Sequence, residues 1–211
     1  MRAVVLLSGG LDSTVALCWA LGQGWEAEAL AVSYGQRHIR ELSSARAVAR
    51  SLGVPFHQVS LRLPWLGVSS LVDKAKPLPR VPLSRIGTGG IPSTYVPGRN
   101  TVFLSLAASL ADSISARAIV IGANSLDFSG YPDCRPEFAR AFERAARLGT
   151  RVGAEGGRIR VLAPLQRLDK AGIVRLGLRL KAPLALTWSC YTGGARPCGR
   201  CDSCRDIAAG K

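Results

Sequence analysis

The 211-residue sequence predicts a parallel α/β domain, helices on both faces of its sheet, with a small cysteine-rich module at the end. Three observations predict it. Short apolar runs rich in β-branched residues alternate with helical patterns along most of the chain, which is the rhythm of βαβ units. The first run leads straight into a glycine turn and a helix. Four cysteines, Cys190, Cys198, Cys201 and Cys204, crowd the last stretch.

Val4 to Leu7 is the first strand and Thr14 to Leu21 the first helix, with Ser8-Gly9-Gly10-Leu11-Asp12-Ser13 between them. Strand, glycine turn and helix place free backbone N–H groups and a positive helix end at one point, which suits phosphate. Gly9 and Gly10 let a phosphate approach the main chain, and the hydroxyls of Ser8 and Ser13 add donors. Asp12 would repel a polyphosphate unless a cation intervenes, so magnesium is expected there. The turn lacks the Walker lysine and the dinucleotide fingerprint. It resembles the pyrophosphate loop of the ATP pyrophosphatase superfamily, whose members split ATP between the α and β phosphates. A chance Gly-Gly turn beside a Ser/Asp helix cap is the competing reading.

Glu26 to Ser33 is the second strand, ending in the polar cluster Ser33-Tyr34-Gly35-Gln36-Arg37-His38 at a carboxyl strand end, where open parallel sheets bind ligands. A helix from Ile39 to Leu52 and a third strand from Phe56 to Leu61 follow, with His57 read as a strand-face residue. Residues 64–98 are proline-rich and aperiodic, the pattern of a lid or binding loop. Thr101 to Ile114 is helical, with Asn100 expected to cap it and Arg99 at its positive end, where a cation calls for a bound anion. Ala118 to Ala123 is the fourth strand, and the loop from Asn124 to Arg135 holds more polar groups than a plain connector needs. Pro136 to Leu148 is a helix with Phe138, Ala141, Phe142 and Ala145 on one face, Gly149 to Gly157 a mobile turn, and Ile159 to Leu165 the fifth strand. Asp169 caps a helix from Lys170 to Leu180, where Lys170 again calls for an anion.

Lys and Arg outnumber Asp and Glu by 28 to 14, a formal charge of +14. No basic run, RGG tract or aromatic-interleaved basic patch accompanies it, so a cleft for nucleotide and acidic substrate is favoured over nucleic acid. No apolar run approaches the roughly 18–20 residues of a membrane span, and the opening strand carries no signal-peptide pattern, so the cytoplasm is expected. Cys190-x₇-Cys198-x₂-Cys201-x₂-Cys204 has the spacing of a closed structural zinc site. Free thiols or an iron–sulfur cluster are the alternatives. Cys18 reads as core, and Cys134 as either a substrate contact or packing.

The ordered set of the loop at Ser8 to Ser13, Ser33 to His38, Ser93 to Asn100, Asp127 to Arg135 and Thr187-Trp188-Ser189-Cys190-Tyr191 resembles the 7-cyano-7-deazaguanine synthase family over nearly the whole chain. The resemblance implies the adenine-nucleotide α-hydrolase fold, an ATP-binding domain over 1–186 and a zinc module over 187–211. It implies conversion of 7-carboxy-7-deazaguanine and ammonia to the nitrile with two ATP, in a homodimer. Carried over by position, Asp12, Arg99 and Lys170 would be catalytic, and Ser8, Gly9, Gly10, Leu11, Asp12, Ser13, Ser33 and Gly122 would bind ATP. Tyr34, Gln36, Tyr95, Asn124, Asp127, Tyr131, Asp133 and Arg135 would bind the deazapurine, and the four cysteines zinc. Phe128 departs from the tyrosine common in the family. The competing functions are another pyrophosphate-loop enzyme, such as a tRNA thiolase, and a basic zinc-ribbon protein that binds nucleic acid.

Overall fold

The computed structural model describes residues 1–37, 40–79, 90–125 and 131–209. In chain order its main elements are β1 (Arg2–Leu6), α1 (Leu11–Gly22), β2 (Glu26–Ser33), α2 (Arg40–Ser51), β3 (Phe56–Ser60), α3 (Arg99–Ser113) and β4 (Ala118–Val120). These are followed by α4 (Pro136–Gly149), α5 (Arg151–Ala154), β5 (Arg160–Leu162), α6 (Lys170–Arg179) and α7 (Asp202–Ala209). The strands form one parallel sheet in the order β3-β2-β1-β4-β5. The chain reverses direction across the sheet between β1 and β4, and an open parallel sheet has its crevice at that point.

β1 is central and buried on both faces, which is why its residues are apolar without alternation. Ala3 and Val5 join Val15, Leu17, Ala45, Val48, Leu165 and Ile173 beneath α1, α2 and α6. Val4 and Ile119 face the opposite core with Leu104, Ala107 and Val152, beneath α3, α4 and α5. β3 lies at an edge, where His57 Nε2 is 2.7 Å from Glu28 Oε2 on the neighbouring strand, so His57 does stand on the strand face.

Three expectations need correction. The 149–157 stretch contains a short helix, α5, because the Asp112 carboxylate accepts the free N–H groups of Arg151 and Val152 at 3.1 and 2.8 Å and Thr150 Oγ1 caps Gly153. The buried face of α4 runs through Phe138, Phe142 and Ala146, while Ala141 and Ala145 face solvent; spacing by four residues keeps one face. Asn100 is not a cap. Helix α3 begins two residues earlier than expected, at Arg99 after left-handed Gly98 at φ 61°, and the Asn100 N–H donates to Asp133 Oδ2 at 2.9 Å. Asp169 does cap α6, its Oδ1 accepting from Gly172 N at 2.7 Å.

Candidate active site

The loop after β1 is folded upon itself. Ser13 Oγ accepts from Ser8 N at 3.2 Å and lies 3.0 Å from Ser8 Oγ, which accepts in turn from Gly10 N. Gly9 adopts φ 87°, and a Cβ there would collide with the Glu41 carbonyl in the first turn of α2. Gly122, two residues past the end of β4, leaves room from the other side, since its Cβ would stand 2.8 Å from Ser13 N. Two glycines therefore let the loop sink between α2 and β4, leaving the start of α1 open to a cavity of about 570 Å³.

Asp12, in the first turn of α1, is gripped. Lys170 Nζ lies 3.0 and 2.8 Å from its two oxygens, and Asn124 Nδ2 donates to Oδ2 at 2.9 Å. Lys170 also reaches Asp206 of α7 at 3.5 Å, and its side chain is only 11% exposed. The anion demanded by a lysine at a helix N-terminus is thus supplied within the chain.

Across the cavity, Arg99 opens α3 among acceptors. Burial works against its charge, but Tyr34, Cys134, Tyr131 and Asp133 more than offset that and hold it firmly protonated. Burial pushes the Tyr34 phenol up. Glu41 lines the same cavity, and burial lifts its carboxyl from 4.5 to about 7 against the opposing pull of Arg99. Part of the 64–98 segment forms a wall: Leu71, Ser93 and Thr94 line the cavity, and Thr94 Oγ1 sits 2.7 Å from the Tyr131 hydroxyl. Leu66 and Val96 anchor that wall on Tyr34.

The remaining wall is the C-terminal module. The sulfurs of Cys190, Cys198, Cys201 and Cys204 all lie within 4.8 Å of one another. Tetrahedral thiolates on one zinc ion would be about 3.8 Å apart, so the set fits. Burial works to raise the Cys198 thiol, and the N–H groups of Arg200 and Cys201 reverse this, bringing it to about 6. That favours thiolate at Cys198, whereas burial raises the Cys201 and Cys204 thiols; a metal takes its cysteines as thiolate. The module also grips the phosphate loop. Trp188 N donates to Gly9 O at 2.8 Å, Ser189 Oγ accepts from Leu11 N at 3.1 Å, and Arg40 stacks on the Trp188 ring at 3.9 Å.

The family model described as "Queuosine biosynthesis protein QueC" matches residues 2–210. The chain belongs to the QueC family. It is similar to the 7-cyano-7-deazaguanine synthase of Synechococcus elongatus, 54% identical over 205 residues, 97% of this chain and 87% of that protein. The synthase of Pseudomonas fluorescens is 51% identical over 212 residues, with 99% and 92% covered, and that of Thermoplasma acidophilum 50% over 203, with 96% and 84% covered. Among solved structures, a 4-thiouridine synthetase with RNA and bound ATP superposes at TM-score 0.54 and 22% identity, over 99% of this chain and 49% of its own. The NMN synthetase of Francisella tularensis gives 0.53 at 16%, over 95% and 69%. These likenesses show the shared adenine-nucleotide α-hydrolase fold.

Of the residues the QueC resemblance implied, Ser8, Gly10, Leu11, Asp12, Ser13, Tyr34, Gln36, Arg99, Gly122, Asn124, Tyr131 and Lys170 line the one cavity. Others do not. Gly9 faces α2, and Ser33 borders a shallow groove with Leu42 and Arg46 on the far side of β2. Tyr95 stands behind Tyr131 with ring centroids 6.3 Å apart, its hydroxyl accepting from Gly98 N. Asp133 is buried as the acceptor for α3, and Arg135 is exposed at the start of α4. Asp127 and Phe128 lie outside the described residues. Cys134 lines the cavity, buried, and accepts from Asn100 Nδ2 at 3.1 Å. Glu41, Asn100, Asp202 and Asp206 line the cavity unanticipated. An acid opening a helix, as Glu41 does, reads in sequence as a complement to the helix dipole.

Proposed function

We propose that this chain is a carbon–nitrogen ligase that converts 7-carboxy-7-deazaguanine and ammonia to 7-cyano-7-deazaguanine, splitting two ATP to AMP and pyrophosphate. The carrying observation is the QueC match over a chain whose phosphate loop opens on a cavity flanked by two cations, Lys170 and Arg99. About 570 Å³ falls within the range of small-molecule sites.

In this reading the triphosphate of ATP lies at the start of α1, on the N–H groups and hydroxyls of Ser8 to Ser13, with Gly122 leaving the space and Ser33 bordering the strand end. The substrate carboxylate attacks the α-phosphorus and pyrophosphate leaves. Ammonia attacks the acyl carbon and AMP departs, giving the amide. The amide oxygen attacks a second ATP, and loss of that AMP leaves the nitrile. Arg99 and Lys170 stabilise negative charge growing at phosphorus. Tyr34, Gln36, Asn124 and Tyr131 hold the deazapurine, while Tyr95, Asp133 and Arg135 act from behind them. Asp12 would hold magnesium, which would screen the polyphosphate charge. The four cysteines would hold zinc, which would close the module. The described parts of the 64–98 segment would serve as the lid of the site, and the cysteine module expected over 187–211 stands beside the 1–186 domain. The enzyme is taken to be a cytoplasmic homodimer; sedimentation of the purified protein tests the dimer, and cell fractionation the location.

Incubation with ATP, ammonia and 7-carboxy-7-deazaguanine, followed by mass spectrometry, should show AMP and the nitrile. ADP in place of AMP, or no nitrile, overturns the reading.

A further inference from the structure

Making a nitrile from ammonia strips three protons from one nitrogen, so the site needs a proton acceptor beside the phosphate loop. Several carboxylates near the cavity are already engaged. Asp12 is held by Lys170 and Asn124, Asp206 by Lys170, and Asp133 by the Asn100 N–H. Glu41 differs from these three. It lines the cavity from the first turn of α2, beside Gly9 of the phosphate loop, and among the described residues no hydrogen bond or ion pair holds its carboxylate.

We propose that the Glu41 carboxylate accepts the protons lost from nitrogen as the amide, and then the nitrile, are formed. The proposal rests on the proposed function and assigns it a base. In the first stage the N–C bond forms, the C–O bond to AMP breaks, and one proton passes from nitrogen to Glu41. In the second the amide oxygen bonds to phosphorus as pyrophosphate leaves, and nitrogen gives up a proton. The C–O bond then breaks with AMP as leaving group, C≡N forms, and the last proton leaves nitrogen. Between stages Glu41 returns its proton to solvent through the open cavity, and no oxidant or reductant is required.

The surroundings suit the task. A general base works best with its pKa near the operating pH, and burial places Glu41 at about 7. Arg99 of α3 and Tyr34 after β2 are the charged and titratable groups that act on it. On its own helix Arg40 is turned away, donating to Gly194 O and stacking on Trp188. Arg37 is directed to the Lys74 carbonyl. Tyr34 itself, pushed up by burial, is a poor base at neutral pH.

The test compares the parent with Glu41→Gln and Glu41→Asp in two assays. ATP–pyrophosphate exchange with the carboxylate substrate, without ammonia, reads adenylation; conversion of the purified amide to nitrile, from pH 5.5 to 8.5, reads proton removal. The parent should show a kcat/KM that rises with unit slope to a plateau with a midpoint near 7. Glu41→Gln should lose nitrile formation by roughly 100-fold or more, lose that limb, and retain exchange; Glu41→Asp should restore part of the rate and the limb. An unaltered limb in Glu41→Gln, or parallel loss of exchange and nitrile formation in a variant that melts like the parent, overturns the assignment. A parent without exchange would instead overturn the proposed function beneath it.

Discussion

Replacing Lys170 by Met tests whether the cavity floor is built on charge. Lys170 lies 2.8 Å from Asp12 and 3.5 Å from Asp206, and the three side chains are 11%, 23% and 22% exposed. At an effective dielectric near 20 each contact attracts by roughly 5 to 6 kcal/mol, much of it offset by desolvation. Removing one partner of a fully buried pair costs about 3–5 kcal/mol. Because both carboxylates keep contact with the cavity, about 2–3 kcal/mol is expected, a fall in Tm of roughly 5–10 °C for a chain of this size. Calorimetry measures it. Adding Asp12→Asn to Lys170→Met should recover at least about 1 kcal/mol, since the second change removes one of the stranded charges. A Tm within 1 °C of the parent for Lys170→Met, or strictly additive losses in the double variant, would refute the reasoning.

Four other outcomes follow from the same geometry. Asp12→Ala should abolish AMP formation while zinc content at the four cysteines stays at the parent value, measured by nucleotide chromatography and metal analysis. Gly122→Ala should weaken ATP binding about 10-fold or more by titration calorimetry, because its methyl would press on Ser13 N at 2.8 Å. The Asp112 carboxyl is held below its usual range chiefly by the Val152 N–H; a depressed carboxyl stabilises fully above its unfolded pKa and loses that as pH falls through its folded value, so Asp112→Asn should lower Tm at pH 7, by an amount that shrinks as pH falls below the ordinary 3.8. Glu41 has the opposite sign. Its folded form keeps a proton between 4.5 and about 7, stability falls as pH rises through that window, and Glu41→Gln should be more stable than the parent at pH 8 by up to about 3 kcal/mol, with parity at pH 4.

The parallel sheet, the glycine turn after β1 and the cysteine cluster were legible because each is written locally. An apolar run, a Gly-Gly pair and fixed Cys spacings determine geometry over a few residues. The partners of those residues were not legible. Lys170 looked like a cation awaiting a ligand because nothing local shows Asp12, 158 positions away, against it. Asn100 looked like a cap because its side chain suits one, yet Asp133 from a distant loop supplies the acceptor. Gly149 to Gly157 looked loose because its stabilising carboxylate, Asp112, belongs to α3. Glu41 carried no chemical signature at all until burial and a facing arginine gave it one.

The same distinction bears on the cysteine module, which sequence alone makes a stabiliser of the chain's end. Trp188 and Ser189, the two residues before Cys190, hydrogen-bond Gly9 O and Leu11 N, so the phosphate loop hangs from the module. The Leu11 N–H that Ser189 satisfies belongs to the first turn of α1, where an anion is expected to bind. Disordering the module would free these contacts and the Arg40–Trp188 stack together, and the loop would lose its shape before the sheet lost its core. Chelating the metal, or Cys201→Ser, should therefore weaken ATP binding by at least about 10-fold in protein whose sheet still melts cooperatively. If the metal-free chain bound ATP as tightly as the parent, the loop would have to be ordered by its own internal Ser8 and Ser13 hydrogen bonds, and the grip from Trp188 and Ser189 would be incidental.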